Sequence, residues 1–210
     1  MKNNRIKYPV LAFWMLAVSL VFSTADTFAA ELEMLVETCG ACHGKEGASS
    51  EPDVPNIGGE SAEYLKVSLK EFKGKERPCV ETKIRIGTKK DTKTDMCKVV
   101  ADLSDDDLKQ LIDYFSKRKT VHFKQPFDAA LAEKGKAVHG KSCEKCHTEG
   151  GSLPSDDAAV LAGQKMDYLD TAFKDLVAGK RPMSKKMKVK IEALEAEDFD
   201  ALKHFYGNSQ

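Results

Sequence analysis

Hydrophobic and aromatic side chains recur at helical spacing in two matching segments of this chain. Within residues 62–72 and residues 168–176 they follow one another at intervals of one, four and three residues, which is typical of one face of a helix. No convincing two-residue alternation appears, so the predicted fold class is all-α. The positions are Tyr64, Leu65, Leu69 and Phe72 in the first segment and Tyr168, Leu169, Phe173 and Leu176 in the second.

A third helical pattern starts at Ser104. Ser104 and Asp107 have the spacing of a capping box, with Asp in place of the usual Glu, so a helix is expected to begin directly after Ser104. Apolar residues then recur along one stripe, as in the two segments above. The stripe consists of Leu108, Leu111, Ile112 and Phe115.

The chain is an internal duplication. At an offset of 104 residues, "IGGESAEYL" (57–65) matches "LAGQKMDYL" (161–169). Further along, the offset falls to 91, where residues 103–115 match residues 194–206, so the first copy carries 13 extra residues. The sequence therefore predicts two tandem domains. Their predicted boundaries are residues 30–118 and residues 119–210, joined near residues 117–128.

The N-terminal segment has the order of a secretory signal peptide. Three basic residues precede the 13-residue apolar run Val10–Phe22, and small residues follow it. The run is shorter than the ~20 apolar residues of a membrane-spanning helix. We therefore expect residues 1–29 to be removed, the protein to be exported to the periplasm, and the mature chain to have no stable membrane span. An uncleaved anchor is the alternative.

The charge balance excludes one class of partner. The whole chain has 33 basic and 33 acidic residues, and the mature chain would have 30 and 32, a formal charge of −2. Lysines alternate with acidic residues throughout, and no basic stripe survives. Since nucleic-acid binding needs such a stripe, we expect no nucleic-acid partner.

Two copies of Cys-x-x-Cys-His occupy equivalent positions of the duplication. This is the attachment signature of c-type haem, in which two thiols add to the porphyrin vinyl groups and the histidine is the proximal iron ligand. A redox disulfide would need a βαβ context, and one structural zinc would need both pairs in one site. We therefore predict two covalent haems. The residues are Cys39, Cys42 and His43 in the first copy and Cys143, Cys146 and His147 in the second.

The sixth iron ligand must come from elsewhere, and methionine is the usual donor in electron carriers. Met96 lies seven residues before Leu103, and Met187 lies seven before Leu194, the corresponding leucine of the second copy. This agreement predicts Met96 and Met187 as the sixth ligands. Met183 is the alternative in the second domain.

The other methionines and histidines have no matching partner in the repeat. Met34 and Met166 lie on helical stretches and are predicted to pack in the core. A bis-histidine site would need one of the remaining histidines, but none has a counterpart at the repeat offset. We therefore predict that His122, His139 and His204 are surface or hydrogen-bonded histidines.

The orientation of each proximal histidine requires an acceptor for its second nitrogen. Pro55 is predicted to offer its carbonyl to His43. The second copy has Ala159 at the matching position, so there we expect Pro154 to act from a different register. The alternative is that both prolines only punctuate loops.

Cys79 and Cys97 flank the 13-residue insertion of the first copy, and Met96 directly precedes Cys97. A disulfide between them would stabilise the fold by roughly 3 kcal/mol and would hold the segment that bears Met96. The oxidising compartment predicted above favours this bridge. The alternatives are two free thiols or pairing with another protein.

The motif order resembles that of the two-haem class I cytochromes c: Cys-x-x-Cys-His, a Gly-rich turn before Tyr-Leu, Arg-Pro, and a methionine before the final helix. The stretches "EMLVETCGACHGKEG", "FDAALAEKGKAVHGKSCEKCHTEGGSLPSDDAAVLAGQ" and "RPMSKKM" are similar to the haem subunit of flavocytochrome c sulfide dehydrogenase. The insertion with Cys79 and Cys97 departs from that pattern. The resemblance covers the mature chain and implies tandem class I cytochrome c domains.

The same resemblance implies an electron-transfer subunit rather than a catalyst on its own. A flavoprotein partner would oxidise sulfide and pass electrons to the two haems, and a downstream cytochrome or oxidase would receive them. The chain has no Gly-x-Gly-x-x-Gly and is not expected to bind the flavin itself. One alternative is a free two-haem shuttle to a terminal oxidase. Another is a haem peroxidase-type enzyme, against which the matched Met96 and Met187 argue, because they would fill both axial sites.

Overall fold

The computed structural model describes residues 29–208. The predicted signal peptide therefore lies outside the described residues, apart from Ala29. Within the described range the chain is mainly helical, which confirms the predicted fold class. In the same range, no helix combines the length and the apolar character that crossing a membrane requires.

Polar side chains begin the helices of the first domain where the sequence predicts them. The hydroxyl of Ser61 accepts from the backbone N–H of Tyr64 at the start of α2. The capping box of α4 is confirmed, since Ser104 Oγ accepts from Asp107 N at 3.1 Å and Asp107 Oδ2 accepts from Ser104 N at 2.8 Å. The elements are α1 at residues 29–43, α2 at Ala62–Lys73, β1 at Thr82–Lys83, β2 at Lys93–Thr94, α3 at Met96–Val100 and α4 at Asp105–Ser116.

The second domain repeats this arrangement without the strands. Its first helix, α5, begins after Asp128, whose carboxylate accepts from the N–H groups of Ala130 and Leu131. A short 3₁₀ helix, η1, lies in the loop that follows the second Cys-x-x-Cys-His. The elements are α5 at Ala129–Ser142, α6 at Thr148–Gly151, η1 at Pro154–Asp156, α7 at Met166–Val177, α8 at Lys185–Ile191 and α9 at Ala196–Asn208.

Each domain buries its own apolar cluster, and the first cysteine of a Cys-x-x-Cys-His motif packs against each one. Cys39 contacts the first cluster and Cys143 contacts the second. The helical stripes predicted from the sequence supply most of the buried side chains. The clusters are Val36, Leu65, Leu111 and Phe115 in the first domain, and Leu169, Phe173, Leu176, Ile191, Leu202 and Tyr206 in the second.

Helix α5 packs closely against the last helix, α9, at Gly135. A β-carbon at Gly135 would collide with the backbone carbonyl of Ala201 and with the side chain of Phe205. Only glycine therefore permits this crossing. Cys143, which follows the C-terminal end of α5, packs against the core of the second domain.

The insertion of the first domain forms a small antiparallel hairpin, in which Thr82 pairs with Thr94 and Lys83 with Lys93. The sequence predicts no strand here, because a strand of two residues is too short to show alternation. The hairpin is therefore a local addition to a helical domain.

The linker at residues 117–128 contacts both domains. The carbonyl of Val121 accepts from Asn56 Nδ2 of the first domain at 2.6 Å. The amide of Gln125 donates to the carbonyl of Gln164 in the second domain at 2.9 Å. These bonds place the linker along the interface between the two domains.

Candidate haem sites

The first candidate site is built at the C-terminal end of α1. Cys39, Cys42 and His43 are the last residues of that helix, so both thiols and the imidazole lie within about one turn. His43 is buried, and its Nδ1 lies 2.9 Å from the carbonyl oxygen of Pro55. The predicted contact between Pro55 and His43 is confirmed.

This contact determines which nitrogen of His43 is available to a metal. A carbonyl oxygen only accepts, so Nδ1 carries the proton and Nε2 presents its lone pair. Burial lowers the pKa of His43, which favours the neutral imidazole that ligates iron.

The second candidate site repeats this geometry after α5. Nδ1 of His147 lies 3.2 Å from the carbonyl oxygen of Ala159, and burial lowers the pKa of His147 as well. The prediction that Pro154 supplies this acceptor is wrong. Every residue has a backbone carbonyl, so the loop keeps its register and Ala159 replaces Pro55 without loss of the contact.

The four cysteines of the two motifs remain outside the disulfide. Burial raises the pKa of Cys39 to about 12 and also raises that of Cys143. Burial of these two thiols disfavours the thiolate form that zinc sites and redox disulfides use. Since Cys39 and Cys143 pack against different cores, the two pairs also lack a common site. The residues fit thioether attachment of one haem in each domain.

Both predicted methionine ligands are half-buried. Met96 is the first residue of α3, directly after Asp95, whose carboxylate caps the helix by accepting from Lys98 N at 2.9 Å. Met187 lies on α8 and packs against the second core, as does Met183. The choice between Met187 and Met183 thus rests on the repeat register, and Met187 remains the prediction.

A cavity of about 500 Å³ lies between the end of α7 and α8. None of Cys143, Cys146, His147 and Met187 lines this cavity. It borders the second core, against which Cys143 and Met187 also pack. Its lining includes Leu176, Pro182, Met183, Ile191 and Leu194.

The predicted disulfide between Cys79 and Cys97 is confirmed, with the two Cα atoms 5.5 Å apart. Cys97 is buried in α3, one residue after Met96. The bridge therefore anchors the N-terminal end of the helix on which Met96 lies.

The hairpin closed by this disulfide covers the end of α1. The N–H groups of Arg85 and Ile86 both donate to the carbonyl of Ala41 at 3.0 Å. The carbonyl of Lys83 lies 4.0 Å from Cys42 Sγ. In the second domain, which lacks this insertion, the equivalent Cys146 is exposed.

Two of the histidines set aside by the sequence analysis have hydrogen-bond partners, as predicted. His139 is buried, with Nδ1 2.9 Å from Tyr206 Oη and Nε2 2.5 Å from Glu144 Oε2. Nδ1 of His204 accepts from the N–H of Asp128 at 2.9 Å. Both residues therefore serve the packing of the second domain.

The domain interface contains polar contacts that the sequence did not predict. Arg181 donates to Tyr64 Oη of the other domain at 2.8 Å and lies 3.5 Å from Tyr168 Oη. Lys165 is fully buried and donates to the carbonyl of Val54 at 2.7 Å. Tyr64 and Tyr168 are equivalent positions of the repeat, and this equivalence is the one feature of the sequence that points to an interface shared by the two domains.

Comparisons with known proteins agree with this geometry. A family model described as cytochrome c matches residues 30–119. Cytochrome c4 of Stutzerimonas stutzeri is 32% identical over 154 residues, which cover 70% of this chain and 70% of that protein. Reduced recombinant cytochrome c4 from Pseudomonas stutzeri, a crystal structure, has a TM-score of 0.69 and 26% identity, with 87% of this chain and 98% of that chain covered.

A more distant structural likeness is to thiosulfate dehydrogenase from Marichromatium purpuratum. Its TM-score is 0.62 at 20% identity, and the match covers 82% of this chain and 36% of that chain. At this identity the likeness concerns the fold alone.

Proposed function

This chain belongs to the cytochrome c family, and we propose that it is an exported electron carrier in which two haems in series pass electrons between partner proteins. Similarity to cytochrome c4 across both domains implies two covalently bound c-type haems. When bound, each haem supplies a one-electron iron couple.

The residues proposed to hold the haems follow from the two matched sites. Two thioether bonds would form in each domain, and each iron would have one histidine and one methionine as axial ligands. Methionine ligation raises the reduction potential, as suits a carrier. The proposed set is Cys39, Cys42, His43 and Met96 in the first domain and Cys143, Cys146, His147 and Met187 in the second.

One observation carries the proposal. In both domains the histidine of the motif directs Nδ1 at the carbonyl of a residue twelve positions later, Pro55 for His43 and Ala159 for His147. The residue that supplies the carbonyl differs between the domains, but its position relative to the histidine is the same. Each contact leaves Nε2 for iron and increases the basicity of the imidazole.

The partner is the finer part of the proposal. The resemblance of residues 127–187 to the haem subunit of flavocytochrome c sulfide dehydrogenase supports a flavoprotein that oxidises sulfide as the donor. Two haems in tandem suit a donor that releases two electrons, because each electron can move on before the next arrives. The similarity to cytochrome c4 is equally consistent with a free shuttle to a terminal oxidase.

We propose that a partner approaches the second domain. Cys146 is exposed, whereas the hairpin packs against Cys42. Residues 180–190, which include Met187, carry five exposed lysines and no acidic side chain, in addition to Arg181 of the domain interface. This local basic run is an exception to the alternation of charge along the rest of the chain. Such a face favours an acidic partner surface and makes association dependent on salt.

With sulfide as the reductant, we expect the haems to be reduced faster in the presence of the flavoprotein than in its absence. Reversing one charge on the basic face, by Lys186→Glu, should slow this reduction several-fold at low salt and much less at high salt. Stopped-flow absorbance of the haems measures both effects. Lys109→Glu, which changes an exposed side chain on α4 of the first domain, is the matched control.

Gel filtration of the same mixture, together with the reduction rates, distinguishes the two partner hypotheses. A complex with the flavoprotein that survives gel filtration supports the subunit assignment. If the flavoprotein neither accelerates reduction nor forms a complex, the free-shuttle alternative replaces it, and the two-haem assignment is unaffected.

A further inference from the structure

Each domain holds the peptide that orients the haem histidine of the other domain. Pro55 C=O and Asn56 N–H belong to one peptide group. Its carbonyl accepts from His43, and its N–H donates to Gln164 Oε1 of the second domain at 2.9 Å. The side-chain N–H of Gln164 also donates to the carbonyl of Asn56 at 3.0 Å.

The other domain has the same connection with a different terminal group. Ala159 C=O and Val160 N–H form one peptide group, and its carbonyl accepts from His147. Its N–H donates to Oε2 of Glu60 in the first domain at 2.8 Å. Glu60 and Gln164 are equivalent in the repeat, and each is about 5% exposed. One histidine is therefore linked to an amide and the other to a carboxyl group.

We propose that Glu60 is a positioning residue for the haem of the second domain, and that loss of its proton lowers the reduction potential of that haem through the Val160 peptide and His147. This inference rests on the iron ligation proposed above. The hydrogen bond of Glu60 comes from the Val160 N–H, which belongs to neither a proposed ligand nor a haem-attachment residue.

The physical reason is cooperative polarisation along hydrogen bonds. A carboxylate accepts more strongly from the Val160 N–H than a neutral group does, so the Ala159 carbonyl becomes a better acceptor for His147. A more basic imidazole, together with the added negative charge, stabilises the oxidised iron. The first domain lacks this device, because Gln164 is always neutral.

Glu60 is placed to change its protonation near physiological pH. Burial raises its pKa to about 8, with the hydrogen bond from Val160 and the charge of Arg181 acting in the opposite direction. A cavity of about 10 Å³, roughly the size of one water, lies beside Glu60 and Gln164. When the second haem is reduced, Glu60 can take up a proton from solvent. The positive charge of the proton then offsets the negative charge of the electron.

Other titratable groups face this region and define the controls. Arg181 and Tyr64 interact electrostatically with Glu60. The ring of His122 packs against Gly163, which lines the small cavity. Lys165 points instead to the loop of the first haem, where Asn56 Oδ1 accepts from it at 2.9 Å, and burial lowers the pKa of Lys165 to about 8. A pH dependence of the first haem in the original protein is therefore assigned to Lys165 and should be the same in Glu60→Gln.

The test compares the holoprotein with Glu60→Gln, which gives both domains the same amide. Potentials of the individual haems come from NMR-monitored redox titrations at about pH 6.5 and about pH 9.5, on either side of the pKa of Glu60. In the original protein the equilibrium constant for reduction of the second haem should fall roughly threefold between these two pH values. A change of this size is expected for one charge acting at a distance in a partly solvated protein. In Glu60→Gln this fall should disappear, while the first haem is unchanged.

A swapped variant and a control make the result specific. In Glu60→Gln with Gln164→Glu, the pH dependence should move to the first haem. His122→Gln should leave it in the second. The proposal is overturned if Glu60→Gln keeps the original pH dependence of the second haem, or alters both haems equally. A failure of the iron ligation itself would appear earlier, as an altered haem spectrum at neutral pH.

Stability gives a second readout that does not involve the haem potential. The folded pKa of Glu60 lies above the unfolded value of about 4.3, so ionisation opposes folding, and stability is lost as pH rises from about 4.3 towards 8. Glu60→Gln should remove this component of the decline. If Glu60→Gln and the original protein show the same pH dependence of the free energy of unfolding in denaturant, the Glu60 carboxyl group does not titrate in a buried position.

Discussion

Replacing Met187 by alanine will abolish about half of the weak red absorption band of the oxidised protein, which reports bonds between iron and methionine sulfur. The reduction potential of the second haem should fall by a sizeable part of the roughly 0.8 V range that axial ligands span. The reason is that the thioether stabilises reduced iron, and water or another ligand would replace it. Visible spectroscopy and a redox titration measure both effects.

Met183→Ala is the matched control for this variant. Met183 and Met187 lie four residues apart and pack against the same core, so both variants remove similar apolar contacts. Only the ligand should change the band. If Met183→Ala abolishes it and Met187→Ala does not, the register of the second domain is wrong. Met96→Ala should remove the remaining half.

Removing the disulfide, by Cys79→Ser with Cys97→Ser, should lower the free energy of unfolding of the first domain by about 3 kcal/mol. The bridge closes a loop between residues 18 positions apart and fixes the start of α3. Met96 lies at that start, so its bond to iron should also weaken. We expect the methionine band of the first haem to be lost at a lower temperature than that of the second.

The measurement is thermal and denaturant unfolding followed in the red band and by circular dichroism. Val80→Ser changes an exposed residue beside Cys79 and leaves the bridge intact, so it should leave both quantities nearly unchanged. Equal loss of both methionine bands in the disulfide variant would contradict a local role for the bridge.

Features with a side-chain pattern could be predicted from the sequence. The stripes that include Leu65, Leu111 and Leu169 became buried core residues, because helical periodicity directly reflects which face is covered. The disulfide followed from the placement of Cys79 and Cys97 around an insertion. The capping box at Ser104 formed because its two hydrogen bonds are local.

Features that depend on backbone groups or on tertiary contact were not accessible in this way. The sequence predicts Pro154 as the hydrogen-bond acceptor for His147, but Ala159 supplies the carbonyl. Because every residue has a backbone carbonyl, the residue type does not reveal which one accepts the bond. The hairpin was missed because its strands are two residues long. The partners of Glu60 and Gln164 lie about one hundred positions away, in the other domain.

The presence of two haems with both axial positions filled is the central claim, and a spectroelectrochemical titration combined with carbon monoxide tests it most directly. The mature protein should take up two electrons per chain in a spectroelectrochemical titration, and carbon monoxide added to the reduced protein should leave both haem spectra unchanged. Carbon monoxide binds where an axial position is open, and a histidine and a methionine on each iron leave none. Uptake of one electron, or a haem that binds carbon monoxide readily, would contradict a two-haem carrier and favour an enzyme with an open site.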